Sequence, residues 1–197
     1  SLRLPPAKSA FKVDLNFVVP GQRLFGLKEL TLNNMVQDSS MIHEFTAYSI
    51  FRAAGLAAPR VGYAWVRLNG ADYGLYAQME TYDDIFLDAH FPTTQHLYEG
   101  AYGQDLTAAQ LAGLDIDEGD AQSRADLATI VAALDAVPIE DGYAATQDLI
   151  DWYQVLGVMA AEIYIGHWDG YAPTRNNWFM HTNAEGRLSL MPWGTDQ

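Results

Sequence analysis

Four residues near the end of the chain carry the chemistry. Asp169 lies in "HWDGY", Asn176 and Asn177 follow in "NNWFMH", and Asp196 closes "MPWGTDQ". Two carboxylates and an amide oxygen form a hard-oxygen donor set, the kind that takes Mg²⁺ together with phosphates. Phosphoryl transfer also needs an aspartate to orient or deprotonate the attacking hydroxyl. On spacing alone a second reading stands equally: Asp and Asn are common turn formers in loops. The functional reading requires that the intervening segment fold back. "NWFMHT", "NAEG" and "RLSLMPW" predict a strand, a turn and a strand, which would return Asp196 towards Asp169.

The elements that must position these residues follow from periodicity. "SAFKVDLNFVV" and "LFGLKELTLNN", separated by Pro20-Gly21, predict a first hairpin. Asp38, Ser39 and Ser40 offer N-caps for a helix of about four turns carrying Met41, Ile42, Phe45, Tyr48 and Phe51. Gly55 and Pro59 end it. "RVGYAWVRL" and "YGLYAQME" flank Asn69-Gly70, a strong hairpin signal. "TYDDIFLDAHF" predicts a short helix over a linker. The chain then reads as mainly helical up to residue 166. "LTAAQLAG" and "DAQSRADLATIVAALDAV" predict helices. "TQDLIDWYQVLGVMAAEIYIG" predicts a long buried central helix. Strands in front and helices behind give an α+β class.

The bulk numbers set bounds. The chain has 197 residues, of which 49% are hydrophobic and 18% charged, enough for one domain with a real core. A formal net charge of −14 disfavours nucleic acid and anionic membranes as partners. The absence of cysteine removes disulfides, thiolate zinc sites and cysteine nucleophiles. No run reaches transmembrane length. The abrupt start and end are read as those of a fragment. The five histidines show no metal-site spacing such as HExxH. The five tryptophans read as core and interface residues, and Ser39 as a cap rather than a nucleophile.

"KSAFKVDLNF", "FGLKELTLNN", the Asp-Ser-Ser helix, the Asn-Gly hairpin, "HWDGY…NNWFMH" and "MPWGTDQ" together resemble the CotH family of spore-coat and surface protein kinases. The resemblance covers most of the chain, but residues 101–145 contribute no motif. It implies an atypical protein-kinase-like fold with two lobes, an N-lobe over about residues 1–80 and a C-lobe over about 81–197. It also implies ATP with Mg²⁺ or Mn²⁺. Under it, Asp169 is the catalytic aspartate and Asp196 the metal-binding one. Asn176 or Asn177 is a further metal ligand, with Asn176 preferred. His167, two residues before Asp169, reads as a structural loop residue. Gly194 stands where many relatives carry another Asp, and Gln197 where conventional kinases carry Phe.

The resemblance further implies phosphate-binding cations among Arg3, Lys8 and Lys28, with Lys8 preferred. Glu44 takes the place of the helix glutamate that orients a kinase lysine, and an exposed helix charge is its equal alternative. Gln78, Met79 and Glu80 correspond to the adenine-contacting hinge. The function implied is γ-phosphoryl transfer to Ser or Thr of a protein acceptor, which the −14 charge predicts to be basic. Two other readings stand beside it: a non-catalytic surface or spore-associated binding module, and a generic Mg²⁺-dependent hydrolase. The resemblance places the protein at the cell surface, in the spore coat or outside the cell.

Overall fold

The computed structural model describes residues 8–196. Two antiparallel four-stranded sheets organise the chain. The first is built from β1 (Phe11–Asp14), β2 (Glu29–Asn33), β3 (Val61–Leu68) and β4 (Ala71–Met79), in the order β1-β2-β4-β3. The helix α1 (His43–Ala53) intervenes between β2 and β3.

The local causes are visible in the sequence. Asn69 and Gly70 both adopt positive φ, 52° and 84°, as the tight turn between β3 and β4 demands. The predicted first hairpin forms, with Phe11 opposite Leu32. β1 stops earlier than predicted, because the Asp14 carboxylate accepts from the Asn16 amide and turns the chain. The exposed side chains of Phe17 and Val18 therefore sit in the connecting loop and not in a strand. The N-cap position of α1 falls on Ile42, not on Asp38, Ser39 or Ser40; Asp38 acts from further back, its carboxylate accepting from the Ser40 amide at 2.9 Å and from the first helical amide, His43, at 2.7 Å. The helix is accordingly shorter than predicted, spanning 11 residues.

The segment after Met79 departs from its helical prediction. α2 (Asp84–His90) forms as expected, capped by Asp83. β5 (His96–Glu99) and β6 (Asp115–Glu118) are strands that the sequence reading missed. They join β7 (Trp178–Thr182) and β8 (Leu188–Pro192) in the order β6-β5-β7-β8. Strands of 4 residues leave too little pattern to register as periodic. "LTAAQLAG" gives turns and a single 3₁₀ turn at Leu111–Gly113.

α3 (Ala125–Asp135) buries Leu127, Ile130 and Val131 as predicted. The predicted long helix is interrupted. α4 (Gly142–Thr146) ends, and the backbone at Leu149–Asp151 then pairs with Leu188 at the start of β8. Asp151 next accepts from the Gln154 amide and starts α5 (Trp152–Ile165). α5 is not wholly buried: Tyr153, Leu156, Ile163 and Tyr164 are exposed. A short final helix, α6 (Tyr171–Thr174), precedes β7.

The main core joins α1, α3, α5 and the second sheet through Tyr48, Phe51, Leu127, Ile130, Val158 and Trp178. A buried polar knot ties α3 to that sheet. Asp126 accepts from Thr182 at 2.5 Å and from Tyr98 at 2.8 Å, and lies 2.9 Å from the His96 ring nitrogen. Between the sheets, Tyr82 donates to the Pro192 carbonyl at 2.7 Å and packs edge-on against Phe86 and Phe179. No helix among the described residues is long and apolar enough to cross a membrane.

Candidate active site

A cavity of about 520 Å³ is lined from the first sheet by Lys12, Asn33 and Met79, and from the far side by Asp169, Asn177 and Asp196. Its size falls within the range of roughly 300–1,000 Å³ usual for small-molecule sites.

Each acid arrives by a distinct local device. Gly166, at φ 73°, ends α5 in the left-handed conformation and turns the chain into the loop carrying Asp169. Asn176 donates to Asp169 Oδ1 at 3.0 Å. Asn177 donates to the Asp169 carbonyl at 3.0 Å and to Asp169 Oδ2 at 3.1 Å. The β7–β8 hairpin then brings Asp196 back to the same cavity. Gly194 has φ 56°, and a Cβ there would meet the Asn177 carboxamide at 2.8 Å. The asparagine thus occupies the space that any side chain at position 194 would need.

The buried acids have unmet demands. Asp196 is buried and its Oδ2 has no hydrogen-bond partner. Glu44 is also buried: Oε2 accepts from Asn33 at 3.0 Å, while Oε1 has no partner. Burial, and then the charge of Asp196, push the Glu44 carboxyl up to about 8. Orphaned acceptors of this kind are rare and mark a place for a cation or proton donor. Among the described residues, no group of three or more His, Asp or Glu could hold a metal. A divalent cation would therefore rest on few carboxylates, amide oxygens and the phosphates it accompanies, which is how Mg²⁺ is usually held. Asn177 Oδ1 and Asp196 Oδ2 fit that donor chemistry.

Of the cations named from the sequence, Lys8 and Lys28 do not line this cavity. Lys28 pairs with Asp84 at the start of α2. Lys8 donates to the Leu75 carbonyl at 2.6 Å and lies over the Tyr76 ring. Arg3 lies outside the described residues, as does Gln197. Lys12, not singled out in the sequence, is the lysine lining the cavity, and it pairs with Glu29 at 3.0 Å. Of the three residues that the resemblance likens to a hinge, Gln78 and Met79 are set apart by strand alternation in β4, and Glu80 follows the strand's end. Met79 faces the cavity, whereas Gln78 and Glu80 line a separate hollow in which Glu80 pairs with Arg60 at 2.5 Å. Of the two asparagines, Asn177 lines the cavity, and Asn176 supports Asp169.

Glu162 was also not singled out. It is fully buried in α5 and accepts from the Tyr171 and Ala172 amides at 3.1 and 2.8 Å. Burial outweighs these two bonds and pushes its carboxyl up to about 7. A lone carboxylate inside the apolar run "MAAEIYI" was the available signal.

Compared with known families, residues 3–197 match the one described as CotH kinase protein. The chain belongs to the CotH kinase family. Inner spore coat protein H of Bacillus subtilis (strain 168) is 21% identical over 188 residues, covering 87% of this chain and 50% of that protein. The chain thus spans about half the length of this curated relative. Within the residues that match the family, Asp169 of "HWDGY", Asn177 of the asparagine pair and Asp196 near the end of the chain line the one cavity.

Proposed function

We propose that this CotH kinase family chain is a protein kinase, with ATP bound in the cavity between its two sheets and the γ-phosphoryl passed to Ser or Thr of a basic protein. The carrying observation is the convergence of Asp169, Asn177 and Asp196 on one cavity that also holds Met79 and Lys12. On this reading the first sheet with α1 acts as an N-lobe and the remainder as a C-lobe. Met79 lies against the adenine, and Lys12 neutralises phosphate charge.

Asp196 and Asn177 would hold Mg²⁺ or Mn²⁺, which when bound neutralises charge on the phosphates. Asp169 aligns the acceptor hydroxyl and takes its proton. Its two asparagine partners fix the carboxylate for that task, so positioning and electrostatics supply most of the rate. The overall charge of −14 favours a Lys/Arg-rich acceptor. The spore-coat relative supports a place in the spore coat.

A non-catalytic binding role is the second reading. One observation favours it: among the described residues, no Lys or Arg pairs with Glu44. Incubation with labelled ATP, Mg²⁺ or Mn²⁺ and a basic protein separates the two. Label transfer that disappears in Asp169→Ala and Asp196→Ala supports the kinase. No transfer and no nucleotide binding by the wild type selects the binding role.

A further inference from the structure

Three buried contacts lie directly behind the loop of Asp169. Glu162, in the last turn of α5, spends both carboxylate oxygens on the Tyr171 and Ala172 amides. These are the first amides of α6, so the carboxylate caps the turn that has Asp169 just before it and Asn176 just after it. Gly170 leaves no slack: a Cβ there would stand 2.7 Å from both Glu162 Oε1 and His167 Nδ1. His167, also buried, uses Nε2 on the Gly194 carbonyl at 3.0 Å. A carbonyl can only accept, so Nε2 carries the proton. His167 Nδ1 sits 4.0 Å from Glu162 Oε1.

Neither Glu162 nor His167 lines the cavity. We propose that Glu162 is a positioning residue: it clamps the 170–172 turn that aims Asp169, and with His167 it fixes the register of that turn against Gly194 and Asp196. The two acids come from segments far apart in the chain, and this clasp joins them from behind. Its catalytic consequence rests on the kinase reading, while its structural consequence does not.

The test is hydrogen exchange on the intact chain, wild type against Glu162→Gln, with steady-state phosphotransfer alongside. The glutamine keeps the shape but presents an N–H₂ to an amide donor. The expected result is exchange about tenfold or more faster in residues 169–177 and 194–196, with the rest of the second sheet unchanged. In turnover, kcat falls while KM for ATP stays within about twofold, since the nucleotide contacts remain. Unchanged exchange in both segments overturns the proposal, and so does an equal rise across the whole chain. Should Glu162→Gln fail to fold, Gly170→Ala loosens the same clasp by crowding it. The same two-segment pattern is expected there, and its absence overturns the proposal. A wild type without phosphotransfer removes the kinase reading alone, because the exchange result still decides the clamp.

Discussion

Asn177 donates through one nitrogen to both the main-chain carbonyl and the carboxylate of Asp169, at 3.0 and 3.1 Å. Asn177, the residue just before β7, thereby fixes backbone and side chain of the loop aspartate together. Its amide oxygen is left for other work at the cavity. Removing it should cost more than removing Asn176, which makes a single bond to the same carboxylate. We expect Asn177→Ala to lower phosphotransfer roughly 10- to 100-fold, by analogy with groups that orient ligands. Asn176→Ala should retain more activity. Initial rates at saturating ATP decide, and equal losses would argue against the division of labour.

Asp169→Ala should lower kcat by about 10²–10⁴-fold while nucleotide binding persists, as expected when a general base is lost. Asp196→Ala should instead weaken Mn²⁺-dependent nucleotide binding. Isothermal titration with and without the cation distinguishes these effects. If both variants lose nucleotide equally, the two acids do not have separate roles.

Glu44 sets a pH dependence on stability. Its carboxyl, at about 8 in the fold against an ordinary 4.5, binds its proton more tightly when folded. That contribution is fully present below the unfolded value and is lost as pH rises through about 8. Without divalent cation, melting between about pH 5 and about pH 9 should reveal a loss on the order of a few kcal/mol. In Glu44→Gln this part of the profile should be flat. A variant that tracks the wild type throughout would show that Glu44 is not the titrating group.

Lys12 and Lys28 can be compared directly. Lys12→Ala should raise KM for ATP several-fold, because its side chain lines the cavity. Lys28→Ala should leave KM near the wild-type value, since Lys28 is engaged with Asp84. A larger effect at Lys28 would relocate the phosphate site.

The Asp126 knot should govern stability without touching nucleotide. Asp126→Ala strands the buried His96, Tyr98 and Thr182 partners. The expected cost is about 3–5 kcal/mol in urea unfolding. A loss below about 1 kcal/mol would mean that the knot is dispensable.

What could be read in advance divides along physical lines. The β3–β4 hairpin was legible because Asn69-Gly70 has a local cause, positive φ at both positions. The β7–β8 hairpin was legible because its apolar run is flanked by turn residues. β5 and β6 were not, because strands this short are defined by their partners, and β5 pairs with β7 far along the chain. The break before α5 was hidden for the same reason, since Leu188 supplies it. At the site, Asp169 and Asp196 are brought to one cavity as the returning hairpin predicted. Lys8, Lys28, Gln78 and Glu80 do not line it. Sequence position places a residue on a strand, but the phase of the pleat and the nearest competing partner decide where its side chain goes. Lys28 found Asp84, and Lys8 found the Leu75 carbonyl.

The Tyr82 hydroxyl, bonded to the Pro192 carbonyl, bears on how the molecule could breathe. Tyr82 follows the last strand of the first sheet by three residues, and Pro192 ends the strand that delivers Asp196. Swinging the first sheet away from the second must either carry that strand end along or part the bond. Access to the cavity and the placing of one of its acids are therefore mechanically geared to each other. A ligand that escapes by prying the sheets apart takes leave of a site that is coming undone behind it.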